Sequence, residues 1–268
     1  KIIDALREHY HGTNVEFYSG VGYRNLMIVR GMDFKLKTTP PHDIMGQKVW
    51  DYYPKGEGDD FLKGIMSKSR EIIGRLNLKN ANSIWLWGEG KKPILKSYEE
   101  MFGIKGSVVA AVDLIRGIGK YAGFDIVDVD GATGFIDTNF KGKAEAAVNA
   151  LKSGSDYVFI HVEAPDEAGH MGSSEEKIKA VENINNIMLP ILIQGTRELK
   201  DVRMLVTPDH PTPVSKRTHV AMPVPAIIYG AGVVPDNNDK YDEFITPSFD
   251  FKDGYKVAEY FIKSGVIE

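Results

Sequence analysis

The run Tyr157-Val-Phe-Ile-His-Val162, continuing directly into Glu163-Ala-Pro-Asp166-Glu-Ala-Gly-His170, decides how this chain is read. Its first half is apolar without alternation, the texture of a strand buried on both faces in a parallel sheet. Its second half turns abruptly polar. In an open α/β sheet, ligands bind just beyond the carboxyl ends of the strands. The same pattern recurs downstream, where Val202–Thr207 reads as a buried strand and runs into Pro208-Asp209-His210-Pro-Thr-Pro, with His219 nine residues beyond His210.

Working outward, the chain from about Gly103 is regular. Val108–Tyr121 is expected as a helix, Phe124–Val129 as a strand, Gly142–Lys152 as a helix, Ala226–Tyr229 as a strand and Gly254–Ser264 as a closing helix. Ser173–Leu199 reads as a long helix that Pro190 should kink or break. Strands alternating with helices predict a mostly parallel sheet with helices on both faces. The chain before Phe102 is less regular. A helix at the start precedes two strand-like runs, Asn14–Ser19 and Asn25–Arg30, with Gly20 and Gly22 suiting a hairpin connection. A loop rich in Pro and Gly follows from Thr38 to Gly58, then a helix over Asp59–Leu76 with acids at its N-terminus, and a short buried strand at Ile84–Trp87. Two domains are expected, 1–102 and 103–268.

Composition narrows the function. The chain has 268 residues, a net charge of −4 and no cysteine. That charge gives no reason to expect nucleic acid or an anionic membrane as partner. No apolar run reaches the roughly 18 residues that suggest a membrane span. Without cysteine, any metal must rest on histidines and carboxylates. Cytoplasm is the default compartment where no targeting segment is visible. The chain opens on Lys1 inside an amphipathic pattern, so it is expected to begin in mid-element.

Asp166 and His170 are four apart, so on one helical turn they point the same way and can hold one ion. Asp209 and His210, adjacent in a strand-end loop, can reach that ion or a second one. Taken singly, each reads as well as a hydrogen-bonded loop histidine or a capping aspartate. Asp166, His170, Asp209, His210 and His219 gathered at two strand ends favour a metal site. Mixed imidazole and carboxylate donors suit Mn²⁺, Zn²⁺ or Co²⁺ better than Mg²⁺ or Ca²⁺. Two metals about 3.5–4 Å apart stabilise attacking and leaving oxygens in an in-line displacement, the chemistry of phosphoryl or sulfuryl transfer.

Candidates for gripping a phosphorylated substrate are Arg24, Arg116 and Arg217, as bidentate clamps or ordinary surface ion pairs. Lys91 and Lys92, in Gly88-Glu-Gly-Lys-Lys, form either an anion site or a solvated loop. His42 stands in the rigid Pro40-Pro41-His42-Asp43 loop. Gly131-Ala-Thr-Gly134 lacks the spacing of a nucleotide fingerprint and reads as a turn. His161 reads as structural.

These motifs resemble one family. His161 to His170, Pro208 to Pro213, Arg217-Thr-His219 and Pro223-Val-Pro-Ala-Ile-Ile-Tyr are similar to segments of the cofactor-independent phosphoglycerate mutases. They fit best the archaeal-type branch, within the alkaline phosphatase superfamily. Tyr23-Arg24, Thr39 to Asp43, Trp85 to Pro93 and Gly131 to Gly134 resemble further segments of that branch. The resemblance implies an alkaline phosphatase-like α/β sheet with a second, smaller α/β domain inserted in it. It implies two divalent metals, usually Mn²⁺, with Zn²⁺, Co²⁺ or Mg²⁺ as the alternatives, Asp166, His170 and His219 holding one, Asp209 and His210 the other. It implies interconversion of 3-phosphoglycerate and 2-phosphoglycerate through a phosphoserine, in glycolysis and gluconeogenesis. Other activities of the superfamily (phosphatase, phosphomutase, small-molecule kinase) are the alternatives, as is a non-catalytic fragment. No serine here matches the family's nucleophile, and the aspartate expected on its first strand is also missing. On that resemblance the chain is expected to lack an N-terminal strand, and to form a homo-oligomer or pair with the missing segment.

Overall fold

The structure, a computed structural model, describes residues 1–20, 24–44, 46–236, 238–245 and 250–263. They fall into two compact units, Lys1–Ile94 and Leu95–Glu268.

The first unit opens with helix α1 (Ile2–His9), followed by the antiparallel strands β1 (Val15–Tyr18) and β2 (Leu26–Val29). The hairpin connection expected at Gly20 and Gly22 lies partly outside the described residues, as does Tyr23. The Pro- and Gly-rich loop is bracketed by a pairing that the sequence did not suggest. Strand β3 (Lys35–Lys37) runs antiparallel to β4 (Lys55–Glu57), with 3₁₀ turns at Pro41–Ile44 and Val49–Tyr52 between them. Helix α2 (Asp59–Gly74) lays Leu62, Ile65, Met66, Ile72 and Ile73 into the interior. A cluster of Leu6, Val15, Phe17, Ile65 and Ile72 forms this unit's core. Ile84–Trp87 forms no strand among the described residues: Ile84 and Leu86 pack on that core, and Trp85 donates its indole N–H to the Thr39 carbonyl at 2.7 Å.

The second unit begins with helix α3 (Tyr98–Phe102), started by a reciprocal capping box between Ser97 and Glu100. Tyr98 packs edge-to-face on Phe124, ring centroids 4.7 Å apart. The segment 95–102 therefore belongs here, and the division falls ahead of it rather than after Phe102. Strand β5 (Gly106–Val109) replaces the first part of the helix expected over Val108–Tyr121. All four of its residues are buried, so no alternation betrays the strand. Helix α4 then covers only Asp113–Tyr121. Strand β6 (Asp125–Val127), helix α5 (Phe140–Lys152) and strand β7 (Tyr157–Ile160) follow, close to where they are expected.

Strands β6, β5 and β7 form a parallel sheet in that order. Successive residues of β5 point to opposite faces. Val109 joins a core with Phe140, Ala144, Ala147 and Val148 of α5, whereas Val108 and Ala110 meet Phe124 and Ile115 on the other side. Helices thus cover both faces.

Beyond β7 come helices α6 (Ala164–Met171) and α7 (Ser174–Asn183), a π turn at Ile184–Met188, and helix α8 (Leu189–Gly195). The expected interruption near Pro190 is this π turn, with Pro190 in the first turn of α8, where a proline needs no N–H partner. Strand β8 (Arg203–Val206) pairs antiparallel with β9 (Ile227–Gly230) as a separate two-stranded sheet. Helix α9 (Tyr255–Lys263) closes the described chain, and Ser264 lies outside it. Instead of one mostly parallel sheet, the second unit thus holds a parallel three-stranded sheet and a separate antiparallel pair.

Candidate metal centre

The β7–α6 junction and the loops between β8 and β9 bring all five expected ligands together. Helix α6 opens with Pro165 in its first turn, and the Asp166 N–H reaches the Glu163 carbonyl at 2.9 Å. One turn later His170 sits beside Asp166, Nε2 to Oδ2 at 3.3 Å. From the other loop, His219 places Nε2 at 3.4 Å from Asp166 Oδ1 and 3.0 Å from His170 Nε2. His210 stacks on His219 with ring centroids 3.8 Å apart, and its Nε2 lies 3.4 Å from Asp209 Oδ2. Asp166 is largely enclosed, at 26% side-chain exposure, whereas Asp209 is open at 80%.

The surrounding hydrogen bonds select the tautomers. His170 Nδ1 lies 3.0 Å from the Arg217 carbonyl, which can only accept, so Nδ1 carries the proton and Nε2 keeps its lone pair. Thr212 was not expected in the site, yet it links its two halves. Its hydroxyl donates a short hydrogen bond to Asp166 Oδ1 and lies 3.3 Å from His210 Nδ1. A hydroxyl has one proton to give. Since Asp166 receives it, Thr212 accepts from His210 Nδ1–H, and Nε2 of His210 is again left as the donor atom. Gly169 makes room for this contact, because a Cβ there would lie 2.4 Å from the Thr212 carbonyl oxygen.

This donor set fits a divalent cation. Asp166, His210 and His219 each offer a ligand atom within 4.8 Å of the others. Imidazole lone pairs facing a carboxylate at this spacing are what a transition-metal ion neutralises, and protein partners fix the far nitrogens of His170 and His210 as in metal sites generally. The trio crosses the expected division, taking His210 from one set and Asp166 and His219 from the other.

Two neighbours of the ligands also emerge. His161 is half-buried with Nδ1 lacking a hydrogen-bond partner. Burial, then the nearby Lys143 ammonium, pushes its pKa down, partly offset by Asp209 and Asp166. Lys143 is wholly buried, and burial lowers its pKa while Glu163 opposes that shift.

The substrate-binding candidates are dispersed. Arg24, His42, Lys91 and Lys92 lie in the first unit, His42 on the 3₁₀ turn Pro41–Ile44. Lys91 pairs with Asp33 at 2.7 Å, which holds that carboxyl below its ordinary range. In the second unit, Arg116 pairs with Asp128 at 2.6 Å and donates to the Ala110 carbonyl at 3.4 Å. With Gly131 and Ala132 it lines a cleft of about 410 Å³ at the carboxyl ends of β5 and β6. Arg217 adopts φ +55 and lends its carbonyl to His170.

An α/β sheet carrying a histidine–carboxylate cluster at its strand ends defines a metalloenzyme, and residues 18–248 match the model of the metalloenzyme superfamily. Relatives name the branch. The chain is 45% identical over 255 residues to the 2,3-bisphosphoglycerate-independent phosphoglycerate mutase of Methanosarcina acetivorans, over 90% of this chain and 64% of that protein. It is 42% identical over 272 residues to the probable enzyme of the same name in Geobacter sulfurreducens, over 97% of this chain and 68% of that protein. The chain belongs to the metalloenzyme superfamily and, within it, to the 2,3-bisphosphoglycerate-independent phosphoglycerate mutase family. It spans less than two thirds of the length of the Methanosarcina relative. Among solved structures, a Pyrococcus horikoshii protein matches with a TM-score of 0.72 at 24% identity, covering 90% of this chain and 61% of that one. The cofactor-independent phosphoglycerate mutase of Thermoplasma acidophilum DSM 1728 matches with 0.55 at 21% identity, over 91% and 62%. These two share the fold.

Proposed function

We propose that this chain carries the metal-binding part of an enzyme that interconverts 3-phosphoglycerate and 2-phosphoglycerate. The observation that carries the proposal is the convergence of Asp166, His170, His210 and His219, with Asp209 alongside, in a chain 45% identical to a protein of that name. Asp166, His170 and His219 hold one divalent ion, Asp209 and His210 the other; Mn²⁺, Zn²⁺ and Co²⁺ all suit this donor set, and Mn²⁺ is the one that the family resemblance implies. When bound, the ions supply charge stabilisation for an in-line phosphoryl displacement.

The chain's own residues have defined tasks. Arg217 and Thr212 hold the histidine protons away from the donor nitrogens, and Asp166 Oδ1 is oriented by the Thr212 hydroxyl. Arg116, lining its cleft beside the Gly131–Gly134 loop, contributes to holding the anionic substrate. In the first unit, read as the inserted domain, Arg24, His42, Lys91 and Lys92 are the other candidates. Lys92 is the stronger of the two lysines, because Lys91 is already paired with Asp33. No serine hydroxyl hydrogen-bonds any of the five ligands among the described residues, so the phosphorylated serine of the proposed mechanism is not identified here. A phosphorylated three-carbon metabolite as substrate is consistent with cytoplasmic work, and no helix among the described residues is long and apolar enough to cross a membrane.

The test is ³¹P NMR of 3-phosphoglycerate incubated with Mn²⁺ and the full-length protein carrying this chain. Appearance of the 2-phosphoglycerate resonance is expected, and its absence with metal-loaded protein overturns the assignment. Elemental analysis tests the ligands separately: Asp166→Ala and His219→Ala should each lower bound Mn²⁺.

A further inference from the structure

Helix α5 presents Phe140, Lys143, Ala144, Ala147 and Val148 to the interior, a stripe at helical spacing in which one member is a lysine. Lys143 has 0% exposure, so its ammonium has left water entirely. Burying a charge costs several kcal/mol unless it is met by partners. Three are present. Nζ donates to the His161 carbonyl at 3.1 Å and to the Thr133 carbonyl at 3.4 Å, and the Glu163 carboxylate attracts it. Glu163 can sit there because residue 134 is glycine, where a Cβ would lie 2.4 Å from Glu163 Oε2.

The position of these partners is what matters. The last ladder contact of β7 is His161 N–H to the Val109 carbonyl, 2.9 Å, so the His161 carbonyl belongs to the first peptide past the sheet. Glu163 is the residue from which α6 starts, its carbonyl receiving the N–H groups of Asp166 and Glu167 at 2.9 and 3.1 Å. A methionine at 143 would fill the same space and avoid the cost of burying charge. What methionine cannot supply is the donor that joins the strand end, the Gly131–Gly134 loop and the start of α6.

We propose that Lys143 is a positioning residue that sets where α6 leaves the sheet, and thereby where Asp166 and His170 stand in the metal centre. It touches neither ligand and acts through the His161–Glu163 backbone. The inference rests on the reading of Asp166 and His170 as metal ligands.

Isothermal titration of the metal-stripped full-length protein with Mn²⁺ tests it, alongside circular dichroism and thermal unfolding. Lys143→Met is expected to keep the fold and to weaken Mn²⁺ binding by about 10–100-fold, the range for residues supporting metal ligands. Lys143→Arg, which keeps the cation, should recover part of that loss. Should Lys143→Met leave Glu163 too exposed a charge in the interior to fold, the double variant Lys143→Met/Glu163→Gln removes it and carries the same expected loss. A folded Met variant that binds Mn²⁺ as tightly as the parent, while Asp166→Ala does not, overturns the positioning role and leaves Lys143 as a purely structural cation. If Asp166→Ala itself binds Mn²⁺ normally, the ligand reading fails, and the proposal with it.

Discussion

Thr212 shows how much of the site turns on one hydroxyl. It is buried to 2% exposure between Asp166 and His210, and the Lys177 ammonium holds its carbonyl at 2.7 Å. Thr212→Val preserves shape and removes the hydroxyl, leaving Asp166 Oδ1 and His210 Nδ1–H without that partner. A stability loss of about 1–3 kcal/mol is expected from the unmet groups, with Mn²⁺ affinity lower by about 10-fold or more. Thr212→Ser should retain both. Urea unfolding and titration calorimetry read the two effects, and unchanged affinity in the valine variant would remove Thr212 from the metal centre. In the sequence Thr212 is merely the spacer of Pro211-Thr-Pro213, and nothing local marks it. The five candidate ligands stood out in the sequence because histidines and aspartates gathered at strand ends are conspicuous there. Lys143 was not singled out in the sequence; only the structure shows this lysine among the buried residues of α5.

At the scale of elements, β7 joins the site to the core. Its first residue, Tyr157, packs with Phe124 and Tyr98, ring centroids 5.5 and 5.6 Å away. Burial there raises its hydroxyl pKa to about 12 from 10.0. A folded-state pKa above the unfolded value means stability fully present below pH 10 and lost as pH rises from there toward 12. Alkaline unfolding should therefore steepen above pH 10, and Tyr157→Phe should flatten that limb. Denaturant midpoints at pH 9 and 11 measure the difference, and an identical drop in both proteins would count against this cause. Strands β6 and β7 and helix α5 lie close to their expected positions because length and periodicity announce them. Strand β5 was hidden in an apolar run that continues into α4, since a strand buried on both faces has no period-2 signature. Strands β3 and β4 were hidden for another reason: they are three residues each, and their pairing spans the long loop between them.

The described chain contains two units with separate cores, and the candidate metal ligands all belong to Leu95–Glu268. A ligand that binds only the folded state stabilises it by mass action, about 2.7 kcal/mol at a hundred times its dissociation constant. Mn²⁺ should accordingly raise the thermal midpoint seen by circular dichroism, EDTA should reverse the rise, and Asp166→Ala should abolish it. A midpoint indifferent to Mn²⁺ in the parent protein would argue against a metal centre. By itself, the sequence determined the α/β character and singled out the candidate ligand residues, because strand-end motifs and periodicity are local properties. Only the tertiary structure decided that β6–β5–β7 form a parallel sheet and β8–β9 a separate antiparallel one. It alone brought His219 to within 3.0 Å of His170, set Thr212 between the two halves, and turned Lys143 inward beneath them. Those contacts join residues far apart in the chain, and their geometry follows from how strands and loops return to one another in space.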